Sequence, residues 1–384
     1  MTQHPPPAWQ TRRVSAAHIQ GIGTAAPAVS VPNQEARDFS VARCGQSEHA
    51  QRWVTRIFGQ CGVDRRGSIL GDGVATAGGG GAAGFFFPPR DEADHGPGMA
   101  ARMEKYAALA PPLALSAATK ALAHAGVSPS AITHLVSASC TGFAAPGWDI
   151  QLVKNLSLAP GVRRLHVGFM GCHAAFNALD TARTIVAADA QARVLVCCVE
   201  LCSLHFAYGF DPQRIVANAL FADGAAAAVV TGESDPAPQT GPACAWALCD
   251  SAILLLPDSE DAMTWRIGDH GFEMTLAAGV PKLIRDHLPG FIGPWLGCHG
   301  LALADVANWA VHPGGPKVLS AAAAALALDE SALAVSRRVL AEHGNMSSAT
   351  ILFILEKLAA AKAPGPTVAL GFGPGLVFEA MLLA

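Results

Sequence analysis

"RRLHVGFMGCHAAFNALDTARTIV" runs from Arg163 to Val186. Its first part is a strand-like apolar run that stops at Gly-Phe-Met-Gly. After the turn, Ala175, Ala178, Leu179, Ala182 and Val186 recur at the three- and four-residue steps of one helix face. A strand, a tight turn and a helix in that order form the basic unit of α/β architecture. Cys172 sits where the strand hands over to the helix, and Gly171 before it lets the chain turn tightly. A thiol at a helix start feels the positive end of the helix dipole, which lowers its pKa and favours the thiolate. Cysteine is also among the most buried residue types. Position alone therefore leaves Cys172 evenly divided between a nucleophile and one more core thiol.

The same strand and helix units recur along the chain. "HIQGIGTAAPAVSVPN" opens with a strand, and residues 34–66 are polar, mixed and helical in part. A helix is expected over Met103 to Ala125, a strand over Ile132 to Ser139 and a helix over Asp149 to Leu156. Beyond Cys172 come the strands "ARVLVCCVEL" and "FADGAAAAVVTG". "SDPAPQTGP", from Ser234 to Pro242, reads as a boundary. After it follow "AWALCDSAILLL", a helix over Val280 to Leu288, "VANWAVHPGG", a helix over Lys317 to Leu328, a helix after Met346, and "TVALGFGPGLVFEAMLL" as a closing strand. Alternating strands and helices imply an α/β protein with a largely buried sheet. The similar layout of the two halves suggests an internal duplication. Three segments follow: a tail over 1–17, one half over 18–233 and a second over 234–384. Gly71 to Gly98, with its glycine run and paired prolines, reads as a long surface loop in which Phe85 to Phe87 pack or gate something.

Composition narrows the class. The chain has 384 residues, 51% hydrophobic and 15% charged, with a net charge of −4. No Lys/Arg-rich block is present, so nucleic acid is not an expected partner. No uncharged apolar run reaches the roughly 18 residues of a membrane span. The N-terminus lacks an apolar signal region, so a cytoplasmic location is expected. The ten cysteines are scattered through apolar stretches with no C-x-x-C pair, so neither a disulfide framework nor a metal site is expected. In "VCCVELC", Cys197 and Cys198 fall on opposite faces of a strand and read as core.

Two further residues stand at element junctions. His312 ends the strand of "WAVHPGGPKVL", the edge where α/β sheets place function. A lone histidine there is more commonly a buried, hydrogen-bonded one. Asn345 in "EHGNMSSAT" precedes a helix, where asparagine also serves as a cap. Cysteine, histidine and asparagine together form a coherent set. A thiolate needs a proton-accepting imidazole, and a thioester carbonyl needs donors where negative charge develops.

"WAVHPGGPKVL", "EHGNMSSAT", "GFGPGLVFEAMLL", "ITHLVSASCTG", "NALFADGAAA" and "LLPDSEDAM" resemble the signature stretches of type III polyketide synthases, the chalcone-synthase-like family. The resemblance spans Ile19 to the C-terminus, and "GFMGCHAAFNAL" is more similar to bacterial members. It implies a thiolase fold, duplicated halves in an αβαβα arrangement, and a homodimer. Cys172 then matches the acyl-carrying nucleophile, and His312 and Asn345 the pair that hold thioester carbonyls. An acyl-CoA starter and malonyl-CoA are the implied substrates, joined by decarboxylative Claisen condensation without a metal or other cofactor. Phe221 matches a gate, and Pro374 bends the loop that shapes the cyclisation pocket. Met274 replaces a second gate phenylalanine. Cys140, Thr141, His205, Trp265 and Ser347 fall at cavity positions, with Trp265 where plant members keep glycine. Ala145 falls where a methionine reaches into the partner subunit. Arg56, Arg65, Arg66 and Lys317 are the candidates for coenzyme A. Three rival readings compete: an initiating β-ketoacyl synthase of fatty-acid synthesis, a papain-like cysteine protease, whose C-G-[SA]-C-[WY] pattern is missing, and a non-catalytic partner subunit, which the intact triad disfavours.

Overall fold

Apolar β-branched runs and alanine-rich helical faces build this protein, and the computed structural model describes residues 17–70, 84–232, 246–363 and 365–384. The first half contains β1 (Ala17–Ala25), β2 (Ser30–Pro32), α1 (Asn33–Cys44), α2 (Glu48–Gln60), β3 (Arg65–Gly67), α3 (Met99–Ala125), β4 (His134–Ser139), α4 (Trp148–Asn155), β5 (Arg163–Gly168), α5 (Ala174–Ala188), β6 (Val194–Leu201), α6 (Pro212–Leu220) and β7 (Asp223–Gly232). The second contains β8 (Trp246–Leu255), β9 (Met263–Gly268), β10 (Gly271–Leu276), α7 (Val280–Cys298), β11 (Asn308–Val311), α8 (Pro316–Ala325), α9 (Ala334–His343), α10 (Thr350–Ala360), β12 (Thr367–Gly373) and β13 (Val377–Leu383).

Among the described residues, nine strands form one sheet in the order β11-β12-β13-β8-β1-β7-β6-β4-β5. The joint is short: β1 and β8 pair only through Ala17–Ile19 and Trp246–Leu248. Outward from it the two sides repeat. β1 is antiparallel to β7, β7 to β6, and β6 is parallel to β4. Likewise β8 is antiparallel to β13, β13 to β12, and β12 is parallel to β11. Same order and same sense on both sides of a joint is the signature of a duplicated unit. The boundary stretch Ser234 to Pro242 lies outside the described residues.

The layers follow from side-chain alternation along the strands. On β7, Ala226, Ala228 and Val230 face a central core containing α5 and α10. Their neighbours Ala225, Ala227 and Val229 face an outer core against α3. On β12, Ala369 joins the central core, while Val368, Leu370 and Phe372 face the outer core against α7 and α8. Helix, sheet, helices, sheet and helix therefore stack as the expected αβαβα layers. Cys198 belongs to the central core and Cys197 to the outer one, as strand geometry requires.

Several local expectations need correction. The closing "TVALGFGPGLVFEAMLL" is two antiparallel strands, not one, with the turn between Gly373 and Val377. α7 runs ten residues past Leu288 in spite of Pro289 and Pro294. Proline removes a ladder bond, but Phe291, Ile292, Trp295 and Leu296 bury one face and hold the helix. α9 has no counterpart in the sequence expectations. α5 starts at Ala174, not at Cys172. Of the Gly71 to Gly98 stretch, 71–83 lie outside the described residues. Phe86 in the remainder is buried and packs on Phe206 and Tyr208, while Phe87 stays exposed.

Candidate active site

Cys172 occupies the turn between β5 and α5. The equivalent turn of the second half, ahead of α10, carries Asn345 and Ser347. Both helices lie in the central layer, so the duplication aims the two turns at each other. The ends of β4 and β11, also equivalent in the repeat, supply Cys140 with Thr141 and His312. Parallel strands thus deliver these groups at their C-terminal edge.

Gly171 has φ of +86° and its missing Cβ would lie 2.3 Å from Pro374 Cδ. Only glycine lets the Cys172 turn and the Gly373–Gly375 bend meet so closely. The cavity at Cys172 is lined by Cys140, Thr141, Cys202, Phe221, Met274, Trp265, Ser347 and Pro374, among others. A second, larger cavity behind it shares Cys202, Phe221 and Trp265 and also takes in His205 and Phe272.

The electrostatics differ from the dipole argument. Burial pushes the Cys172 thiol up to about 12, although the side chains of Ser347 and Asn345 favour its ionised form. Loss of water outweighs a helix that starts two residues later. Burial, with His173 nearby, pushes His312 down to about 3. Both His312 nitrogens are buried without a hydrogen-bond partner among the described residues. Burial therefore favours the uncharged form of each group. Asn345 Oδ1 accepts from Ser347 N at 2.9 Å. Its backbone N donates to Leu220 O at 2.9 Å, tying Asn345 to the C-terminal end of α6, which Phe221 caps.

The cavity wall is held in place by hydrogen bonds. Trp265 Nε1 donates to Cys140 O at 2.7 Å. His205 Nε2 donates to Thr141 O at 2.7 Å, and His205 Nδ1 accepts from Phe272 N at 3.0 Å. The His205 and Phe272 rings stack with centroids 4.1 Å apart. Glu200, which sequence reasoning missed, lies under this floor. It is fully buried, accepts from Cys140 N at 3.0 Å, Thr141 Oγ1 at 2.8 Å and Ser348 Oγ at 2.5 Å, and burial raises it to about 7. The available signal was a lone acid in the apolar strand "VLVCCVEL".

The coenzyme A candidates divide. Arg56, Arg65 and Lys317 are exposed. Arg66 is a correction: it is buried, and its guanidinium donates to the carbonyls of Asn218, Ala219 and Phe221 and to Asn33 Oδ1. Those four bonds occupy both terminal nitrogens and fix the chain at Phe221, leaving only the buried Nε without a partner among the described residues. Lys317 lines an open cleft with Arg285, which sequence reasoning also missed, between the first turns of α7 and α8.

Residues 8–236 match the model of the N-terminal domain of chalcone and stilbene synthases, and residues 247–384 that of their C-terminal domain. The chain belongs to the chalcone and stilbene synthase family. It is 37% identical over 285 residues to an alpha-pyrone synthesis polyketide synthase-like protein of Mycobacterium tuberculosis, covering 73% of this chain and 72% of that one. It is 34% identical over 385 residues to the bisdemethoxycurcumin synthase of Oryza sativa subsp. japonica, covering 96% and 92%. The structure of PKS-I from the brown alga Ectocarpus siliculosus superposes with a TM-score of 0.87 at 31% identity, over 97% of this chain and 99% of that one. The protein is a type III polyketide synthase of thiolase-like fold, an acyltransferase of the decarboxylating Claisen type. The fatty-acid initiating synthase and protease readings fall with that result. No described helix is long and apolar enough to cross a membrane.

Proposed function

We propose that Cys172 carries the acyl chain and that His312 and Asn345 serve the malonyl unit, in two halves over 18–233 and 234–384. The observation that carries this reading is the placement of the Cys172 sulfur against the Asn345 and Ser347 side chains, inside an apolar cavity. The Cys172 sulfur attacks the acyl-CoA carbonyl while His312 takes its proton, and coenzyme A leaves as the thiol. Malonyl-CoA then loses carbon dioxide. The electron pair of the broken C–C bond moves to the thioester oxygen, where His312 and Asn345 N–H groups donate. The enolate carbon attacks the Cys172 thioester, and the sulfur leaves. Loss of carbon dioxide drives the step, and the apolar walls exclude water from the reactive chain. No group beyond coenzyme A thioesters enters this scheme, and the cytoplasm is the compartment it implies.

The walls support an aliphatic starter and a short, pyrone-type product. Trp265 fills space between the two cavities and is pinned to Cys140 O. Mass spectrometry of products from a panel of acyl-CoAs with malonyl-CoA tests this. The expected product is a short-chain pyrone, and the absence of any extended product from every acyl-CoA overturns the reading. Trp265→Gly is expected to join the two cavities and lengthen the accepted starter or product by two or more carbons. An unchanged chain-length distribution counts against the role of Trp265. Met274→Phe is expected to narrow the starter range, since methionine adapts its shape more readily than phenylalanine.

Lys317 and Arg285 support a phosphate site for coenzyme A in the cleft between α7 and α8. Replacing both by alanine is expected to raise KM for malonyl-CoA about three- to tenfold with kcat unchanged. A KM that does not move, in steady-state kinetics at fixed ionic strength, rules the cleft out.

We also propose a homodimer built on β5. This edge strand is exposed over Arg163 to His166, its Leu165 is 49% exposed, and Phe143 and Met170 beside it are each 41% exposed. Met170 adjoins Gly171 and Cys172, so a partner there closes the site. Ala145, also exposed, is too short to reach across as a methionine would.

A further inference from the structure

His173 follows the nucleophile and takes no part in the scheme above, yet it is the more unusual residue of the pair. Its side chain is 2% exposed, and neither ring nitrogen has a hydrogen-bond partner among the described residues. A neutral imidazole carries one donor and one acceptor, and leaving both unmet in a core is unfavourable. The fit is nevertheless close: a Cβ at Gly373 would lie 1.6 Å from His173 Nδ1. The opposite nitrogen, Nε2, lies 3.8 Å from Glu379 Oε1. Glu379 is itself buried, in the middle of the apolar strand β13, opposite Gly371 of β12. Asn177 Nδ2 donates to it, from a position on α5 four residues past the His173 cap and so on the same face.

The charged and titratable groups around this pair come from three elements. Glu379 stands on β13, and His312 ends β11 within electrostatic reach of His173. Asp180, on the helix that His173 opens, acts on Glu379 and is itself paired with Arg183. Burial and Asp180 raise Glu379 to about 7, while burial lowers His173 to about 4. One proton near neutral pH therefore resides on Glu379 or leaves the pair.

We propose that Glu379 and His173 form a buried pair that sets the charge beside His312, acting as positioning residues for the proton transfer from Cys172. When Glu379 is ionised, the field of its charge across the low-dielectric core that His173 fills favours the imidazolium that His312 becomes as the Cys172 proton arrives. When Glu379 is protonated, that support is absent. Activation of Cys172 therefore rises as pH passes upward through the Glu379 titration. The proton moves from Cys172 Sγ to a His312 nitrogen and passes from there to the departing coenzyme A sulfur, which leaves as the thiol.

The inference rests on Cys172 as nucleophile and His312 as its base. The test is the rate of Cys172 alkylation by iodoacetamide between pH 5 and 9, with the labelled residue identified by mass spectrometry. Wild type is expected to rise about three- to tenfold between pH 6 and 8. Glu379→Gln and His173→Phe are expected to lose that limb, leaving the pH 8 and pH 6 rates within about twofold. Asn177→Ala removes a donor to the carboxylate, raises the Glu379 pKa and is expected to move the limb to higher pH. It leaves both partners in place, so it decides the matter if either other variant fails to fold. A wild-type profile that is flat from pH 6 to 8, or folded variants that keep the wild-type limb, overturn the pair. Labelling away from Cys172 overturns the nucleophile assignment instead.

Discussion

Cys172→Ala is expected to abolish chain extension entirely. Without the sulfur no acyl-enzyme forms, and no neighbouring group replaces it. Cys140 Sγ is held by the backbone N–H and carbonyl of Gly171 at 3.0 and 3.4 Å, and burial with Glu200 nearby pushes it well above the ordinary thiol range. Cys202 is pushed up for the same reason. Loss of a covalent nucleophile removes on the order of 10⁴-fold or more of rate. The check is extended product from acyl-CoA and malonyl-CoA by mass spectrometry. Extended product from Cys172→Ala at more than a trace would end the acyl-carrier assignment. Residual carbon dioxide release from malonyl-CoA is compatible with it, because the proposed scheme assigns that half-reaction to His312 and Asn345 and not to the sulfur.

His312→Ala has the second largest expected effect, a fall of roughly 10²- to 10⁴-fold in malonyl-CoA decarboxylation. Asn345→Ala removes the other donor and is expected to lose about 10²-fold. The imidazole also has a distinct signature at the thiol. Burial raises Cys172 to about 12 and lowers His312 to about 3, so each favours its uncharged form. With His312 present, alkylation of Cys172 is expected to rise only about three- to tenfold between pH 6 and 8. Without it the thiol titrates alone from a high pKa. Labelling of His312→Ala is then expected to be slower at pH 7 and to climb about tenfold per pH unit from 6 to 9. Carbon dioxide release by both variants at the wild-type rate would remove the assigned roles.

Much of the site was legible in the residues because chemistry of this type places them at element ends. "GFMGC", "AVHPGG" and "HGNMSS" each mark a strand end or a turn before a helix, and the duplication brings all three to the central layer. Arg66 misled because a charged residue in a polar stretch reads as surface. Only the fold reveals that it is buried with its donors on the carbonyls of residues 218, 219 and 221. Glu200 and Glu379 were missed for the complementary reason: a single acid in an apolar strand has no periodic pattern to announce it. Arg285 was missed because its cleft is made by α7 and α8 together, far apart in sequence from each other's first turns.

The sequence by itself determined the α/β class, the order of most elements, the junctions at Cys172, His312 and Asn345, and the family resemblance. These are local properties, written in periodicity, glycine placement and short motifs. Tertiary structure alone decided the protonation of the thiol and imidazole, the role of Arg66, and the meeting of His173 with Glu379. Those depend on how much water each group loses and on which distant strand faces it. A helix dipole is a local effect that sequence can anticipate. Desolvation by the whole protein is not, and at Cys172 it is the stronger of the two.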